Sequence, residues 1–301
     1  MNIQDAPSLS GFRATVRSWL ADNFPPSLAG RLEEMALIQP LYPEGEDWTA
    51  WKTAIADKGW GVPTWPKELG GGGLDGVTQA LVDRELGRAN FALQYAVWRP
   101  SNILRACQGE QVERYLLPSI RGERVDCLAM TEPGAGSDLR SMSTRAVQDG
   151  DDWVLNGMKH FISHADVADF AIVIAVTKVE ETPRGPRKQM TSFLVDKGTP
   201  GFEVRRGPTC VSHRGYHQCE LTFDNVRLPK EQVLGEPHKG FDVANEWLAS
   251  TRLQVAAMCL GRARRALELV LPWAATRKQV GQPIGKFQGT SFKIADMALD
   301  I

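Results

Sequence analysis

The residues best equipped for chemistry lie at 129–138, AMTEPGAGSD. Thr131 and Glu132 stand before a Gly134-Ala135-Gly136 turn, Ser137 and Asp138 after it, and the apolar run Leu128–Ala129–Met130 leads in. A Gly-Ala-Gly turn after an apolar strand lets backbone amides point outward, where they can bind anionic or carbonyl acceptors. The Thr131 and Ser137 hydroxyls both donate and accept. Such a loop could hold a flavin ring edge or a phosphate, and an ordinary turn is the competing reading. No GxGxxG fingerprint and no βαβ unit surrounds it, which disfavours a Rossmann dinucleotide site.

Three textures position this loop. Residues 1–124 read as an N-terminal α-helical domain: Phe12, Val16, Trp19 and Leu20 recur at helical spacing, and Gly76–Gly87 and Gln111–Leu117 behave alike. Between them VPTWPKELGGGG (62–73) must be a loop, its four glycines implying close backbone approach to something. Residues 125–232 read as a middle antiparallel β-sandwich or barrel, with Asn156-Gly157 as a tight hairpin between two short strands and FAIVIAVT (170–177) as a buried strand. Residues 233–301 read as the first part of a C-terminal helical bundle. One helix there carries the stripe Leu248, Val255, Cys259, Ala263, Leu267 and Val270, and a second starts near Phe287. The fold class is therefore α+β, with an incomplete last bundle that cannot bury both faces of its helices.

Bulk properties narrow the function. With 301 residues, 43% hydrophobic and a formal net charge of −1, the chain has no global field to recruit nucleic acid or an anionic membrane. Five dispersed cysteines without a CxxC pair, and five histidines without HExxH, predict neither a disulfide framework nor a metal site. The start MNIQDAPSLSGFRATV lacks an apolar signal core and no stretch reaches membrane-spanning length, so the expectation is a cytoplasmic chain with no membrane span.

Five segments in order, WPKELGGGGLD (65–75), LAMTEPGAGSDL (128–139), VLNGMKHFIS (154–163), ELTFDNVRLP (220–229) and RKQVGQPIGKFQ (277–288), resemble the acyl-CoA dehydrogenase family of flavoenzymes. The resemblance covers nearly the whole chain. It implies FAD as cofactor and α,β-dehydrogenation of an acyl-CoA thioester as reaction, with an electron-transfer flavoprotein as electron acceptor and a homodimer or homotetramer as assembly. It places Leu128, Met130, Thr131 and Ser137 against the flavin, with Ser137 also near the thioester. Phe161, Ile162 and Ser163 match an aromatic–Ile–Thr triplet beside the flavin, with Phe for the more familiar Trp and Ser for Thr. Arg277 and Gln288 match positions that reach the FAD of a neighbouring subunit, although the aromatic expected at Val280 is absent.

Arg252 is read from both directions. It projects from the apolar stripe, where a charge must be paired or face a cavity, and the family has an arginine there close to the reacting carbons; a structural salt bridge is the alternative. The catalytic base has no match. The residue just before Arg252, where some members carry it, is Thr251, and Glu246 points elsewhere. The base is expected beyond Ile301, and this chain alone is expected to bind FAD poorly and not to dehydrogenate. A flavin oxidase relative (acyl-CoA oxidase, nitroalkane oxidase) and a non-catalytic binding or assembly subunit remain the other readings.

Overall fold

A computed structural model describes residues 7–29, 45–89, 100–183, 185–209 and 217–301; Cys210 lies outside them. Helix α1 (Pro7–Asn23) buries Val16 and Leu20, as their spacing predicts. They join Trp51 and Ile55 of α2 (Glu46–Asp57) and Val82 and Leu86 of α3 (Gly76–Ala89) in one core, with Trp19 edge-on to Trp60 at 4.7 Å. The loop between α2 and α3 folds onto itself. A Cβ on Gly71 would sit 2.3 Å from the Trp65 carbonyl oxygen, and one on Gly72 2.7 Å from that of Pro63. What those glycines approach is thus their own loop.

The middle region is an eight-stranded sheet: β1 (Asp126–Ala129), β2 (Arg145–Asp149), β3 (Asp152–Ser163), β4 (Phe170–Thr182), β5 (Gly185–Asp196), β6 (Phe202–Thr209), β7 (His217–Leu228) and β8 (Val233–Leu234). Its order is β6-β7-β3-β2-β4-β5-β8, with β1 paired to β4. Most neighbours run antiparallel, but β1 and β2 both run parallel to β4. Strand β4 is buried on both faces, which explains its unbroken apolar run. Ala171, Val173 and Ala175 face a core with Trp153, Leu155, Phe193 and Leu221. Phe170, Ile172 and Ile174 face a second core with Ile103, Leu104, Tyr115 and Ile120 from the helical region.

The expected Asn156-Gly157 hairpin is not there. Strand β3 runs straight through both residues, and the turn lies at Gly150–Asp151, between Asp149 and Asp152. Gly157 answers a packing demand instead: a Cβ there would stand 2.6 Å from the Thr144 hydroxyl. Asn156 faces a bulge in β7, accepting a 2.9 Å hydrogen bond from the amide of Asn225, which has φ 49°.

Helix α4 (Gly240–Thr276) leads through a small hairpin, β9 (Lys278–Gln279) and β10 (Gln282–Pro283), to α5 (Gln288–Asp300). The stripe Leu248–Val270 does not lie in a core. Val255 and Cys259 are exposed and the other four half-buried. The crossing with α3 is set by small residues. A Cβ on Gly87 would meet the Met258 carbonyl oxygen at 2.4 Å, and one on Gly261 that of Arg84 at 2.0 Å. Arg88 and Glu268 tie the two helices with hydrogen bonds of 3.0 and 2.6 Å.

Candidate cofactor site

The loop after β1 begins with a turn at Pro133–Gly134, closed by hydrogen bonds from the Glu132 amide to the Ala135 carbonyl (2.9 Å) and from the Ala135 amide to the Glu132 carbonyl (3.1 Å). Asp138 then accepts from the Arg140 amide at 3.1 Å and caps the short turn Leu139–Ser141. Neither Gly134 nor Gly136 has a positive φ, and a Cβ on either would meet nothing within 4 Å. The fold therefore requires neither glycine. Gly134, Gly136 and Ser137 are all exposed, so the backbone there is open to the close approach of a ligand.

What holds this loop is buried beneath it. Lys159, fully buried on β3, donates to the Met130 carbonyl (3.0 Å) and to Glu132 Oε1 (2.9 Å). Glu132 Oε2 accepts from the amide and hydroxyl of Ser143, both at 2.7 Å, and Oε1 from the Thr144 amide at 3.0 Å. The His160 amide donates to the Thr131 carbonyl at 2.8 Å. Burial works to raise the Glu132 carboxyl, but Thr144, the Lys159 charge and Ser143 outweigh it and bring it down to about 2. Burial pulls the Lys159 ammonium down to about 8, Glu132 offsetting only part of the loss. Both groups are thus mainly ionised at neutral pH, and the pair fixes loop to strand with every carboxylate oxygen hydrogen-bonded.

Sequence reasoning missed this pair. The available signal was periodicity: Trp153, Leu155 and Lys159 share the inward phase of β3, and a lysine at an inward position needs a buried partner.

Beyond Lys159 the strand carries one extra residue. Lys159 pairs with Leu221 and Ile162 with Cys219, so His160 and Phe161 both stand opposite Glu220. Phe161 takes φ 56° and is 53% exposed. A left-handed conformation costs a bulky residue about 1–2 kcal/mol, so the surroundings must impose it.

The expected site residues fall into two groups. Leu128, half-buried, and Met130, buried, pack on the core shared with the helical region. Thr131 is half-buried and Ser137 exposed in the loop, while Phe161, buried Ile162 and half-buried Ser163 close β3. Gln218 Nε2 reaches Ser163 Oγ at 3.5 Å. The bonds from Lys159 and His160 tie Met130, Thr131 and Glu132 to the end of β3 that carries Phe161, Ile162 and Ser163, at one corner of the sheet. Arg252, Arg277 and Gln288 are exposed on α4, just after it, and on α5. Among the described residues none of the three bonds to the loop, and exposed Arg252 does not sit in the buried face expected for it. The Arg277 carbonyl accepts from the Ile284 amide at 2.8 Å, closing the hairpin.

Two of the cavities among the described residues bear on ligand binding, and Arg140, just beyond the loop, lines the second. One of about 430 Å³ is lined by Trp65, Ile103, Arg105, Val243 and Trp247. The other, about 720 Å³, lies between the β4–β5 turn and the start of α4, where Arg140, Arg187, Lys188 and Lys239 make its wall cationic. Among the described residues no cluster of His, Cys, Asp or Glu could hold a metal ion, and no helix is long and apolar enough to cross a membrane.

Family models for the N-terminal, middle and C-terminal domains of acyl-CoA dehydrogenase match residues 7–123, 127–226 and 238–301. Among curated relatives, 3-(aryl)acrylate reductase of Clostridium sporogenes is 36% identical over 237 residues, 77% of this chain and 62% of that protein. Human mitochondrial short-chain specific acyl-CoA dehydrogenase is 36% identical over 240 residues, 78% of this chain and 57% of its own length. The Acetobacterium woodii caffeyl-CoA reductase–Etf complex subunit CarC is 37% identical, with shares of 77% and 62%. The chain thus spans roughly three fifths of these curated relatives. Among solved structures, butyryl-CoA dehydrogenase from Megasphaera elsdenii superposes with TM-score 0.77 at 28% identity, covering 99% of this chain and 77% of that one. Glutaryl-CoA dehydrogenase from Mycobacterium smegmatis in complex with FADH2 gives 0.80 at 26%, covering 98% and 72%.

Proposed function

Because this chain belongs to the acyl-CoA dehydrogenase family, a family of oxidoreductases, we propose that it holds FAD at the corner of its sheet and serves the α,β-dehydrogenation of an acyl-CoA thioester to the trans-2-enoyl-CoA. FAD is the cofactor of this fold. The observation that carries the reading is the open space at Gly134 and Gly136, in a hydroxyl-bearing loop pinned by a buried ion pair.

When bound, FAD supplies the acceptor for the substrate's β-hydride. The chain's own residues bind and orient. Thr131 and Ser137 offer hydroxyls and the loop its amides, Phe161 an aromatic face, and Ser163 a further hydroxyl. Ser137 also serves the thioester, and Arg252 supports the reacting carbons. The cationic cavity at Arg140, Arg187, Lys188 and Lys239 suits the phosphates of coenzyme A. Arg277 and Gln288, exposed here, are assigned to the cofactor of a neighbouring subunit, the planar guanidinium matching a pyrophosphate. A homodimer or homotetramer is the assembly that assignment requires.

The α-proton must be taken by a carboxylate. With Thr251 before Arg252, the base is assigned outside residues 1–301. The electron acceptor is proposed to be an electron-transfer flavoprotein, in line with the relative named as part of an Etf complex. Two relatives named as reductases make the enoyl-reducing direction the second reading.

The test is the visible spectrum of the 301-residue chain saturated with FAD, before and after anaerobic addition of saturated acyl-CoA thioesters. A perturbed but unbleached flavin band is expected. Bleaching would place a base within the chain, and a flavin that stays free at every concentration would overturn the site itself.

A further inference from the structure

The strained Phe161 has a support that crosses three strands. Arg205 on β6 and Glu220 on β7 are register partners. The Arg205 Nε donates to Glu220 Oε2 at 2.9 Å, and its terminal nitrogen bonds the same oxygen. Glu220 is the single residue facing the bulge made by His160 and Phe161. Its other oxygen, Oε1, lies 3.5 Å from His160 Nε2. The His160 ring in turn stacks on Phe161, with centroids 3.8 Å apart and planes at 20°. The same residue's amide holds the Thr131 carbonyl at 2.8 Å. His160 is therefore held at two points, by its amide to the Gly-rich loop and by its ring face to Phe161, while its ring edge lies 3.5 Å from a carboxylate that an arginine already bonds. A bulge beside a binding loop is a device for re-aiming a side chain. An aromatic held at positive φ with half its surface in solvent needs such a device.

We propose that His160, set by Glu220 and Arg205, is the positioning residue that fixes the ring of Phe161 for the cofactor. The proposal rests on the reading of this corner as the FAD site. His160 touches neither substrate nor cofactor in this role; it acts through Phe161. Because the same histidine grips Thr131, the aromatic face and the hydroxyl-bearing loop keep one mutual geometry.

The experiment uses the full chain with 4-fluorophenylalanine at position 161, read by fluorine NMR without FAD and by visible circular dichroism with saturating FAD. The unsubstituted background should give one narrow fluorine resonance. His160→Ala should broaden or split it, and Glu220→Gln should do so to a smaller degree. With FAD, the same variants should change the visible dichroism at least twofold while the absorption band persists. Should His160→Ala fail to fold, Glu220→Gln, which alters only a partly exposed pair, decides. Resonance and dichroism unchanged in the folded variants would overturn the proposal. Absence of any visible dichroism, with the unsubstituted chain included, would sink the FAD reading instead, and the fluorine line would still decide whether His160 orders Phe161.

Discussion

The middle sheet and the α4–α5 region bury their side chains to different degrees. In the sheet even a lysine, Lys159, is fully buried with its partners in place, and β4 is covered on both faces. On α4 and α5, Trp273 is 61% exposed, Phe292 62% and Leu299 82%. Strand pairing and two cores set the geometry of the sheet from within. Helix α4 takes its position from close approaches at Gly240 to β5 and at Gly261 to α3, and both helices leave apolar faces outward. Residues at the sheet corner can therefore form a preset binding face. Arg252, Arg277 and Gln288 need a surface from elsewhere to act on.

The contrast can be broken most severely at Lys159. Replacing it with methionine leaves Glu132 buried and unpaired, which should cost about 3–5 kcal/mol in urea denaturation, while Lys159→Met with Glu132→Gln should recover much of that loss. If the single variant lost no more than a surface change, the ion pair would not be what holds the loop. A weaker blow falls on the helical crossing. Gly261→Ala drives a methyl against the Arg84 carbonyl and should lower stability by about 1–3 kcal/mol despite alanine's better helix propensity.

Acid sharpens the comparison further. The Glu132 carboxyl is held at about 2 against an ordinary 4.5. The stability it contributes is present above 4.5 and is lost as pH falls through about 2. Between those values the double variant's denaturation midpoint should fall less steeply than that of the unsubstituted chain; parallel slopes would contradict the assignment. Least of all should happen on the outer helices, where Leu299→Lys should shift stability by no more than about 0.5 kcal/mol. A larger loss there would mean that α5 is covered in solution.

Much of this was legible in the sequence, for physical reasons that differ by residue. Val16 and Leu20 follow helical spacing into the core, and β4 announces itself by an apolar run that only a strand covered on both faces would carry. The loop at 129–138 stood out because short polar side chains and glycines after a strand are costly unless something uses them. Asn156-Gly157 misled because Asn-Gly also suits a crowded strand position that faces a bulge and packs beside Thr144. The stripe on α4 was legible as an apolar face, but periodicity does not say what covers it. The Glu132–Lys159 pair and the His160–Glu220 support were invisible as motifs, since each joins residues that only strand register brings together.

The central claim is that Gly134 and Gly136 are glycine for the cofactor and not for the fold. Its direct test is equilibrium FAD binding to the chain and to the Gly134→Ala, Gly136→Ala double variant, with urea denaturation of both alongside. Added methyls that meet nothing within 4 Å should leave the denaturation midpoint unchanged or slightly raised, while FAD binding weakens by about tenfold or more, roughly 1.4 kcal/mol. Unchanged FAD affinity in an equally stable variant would contradict the claim and return this loop to an ordinary turn.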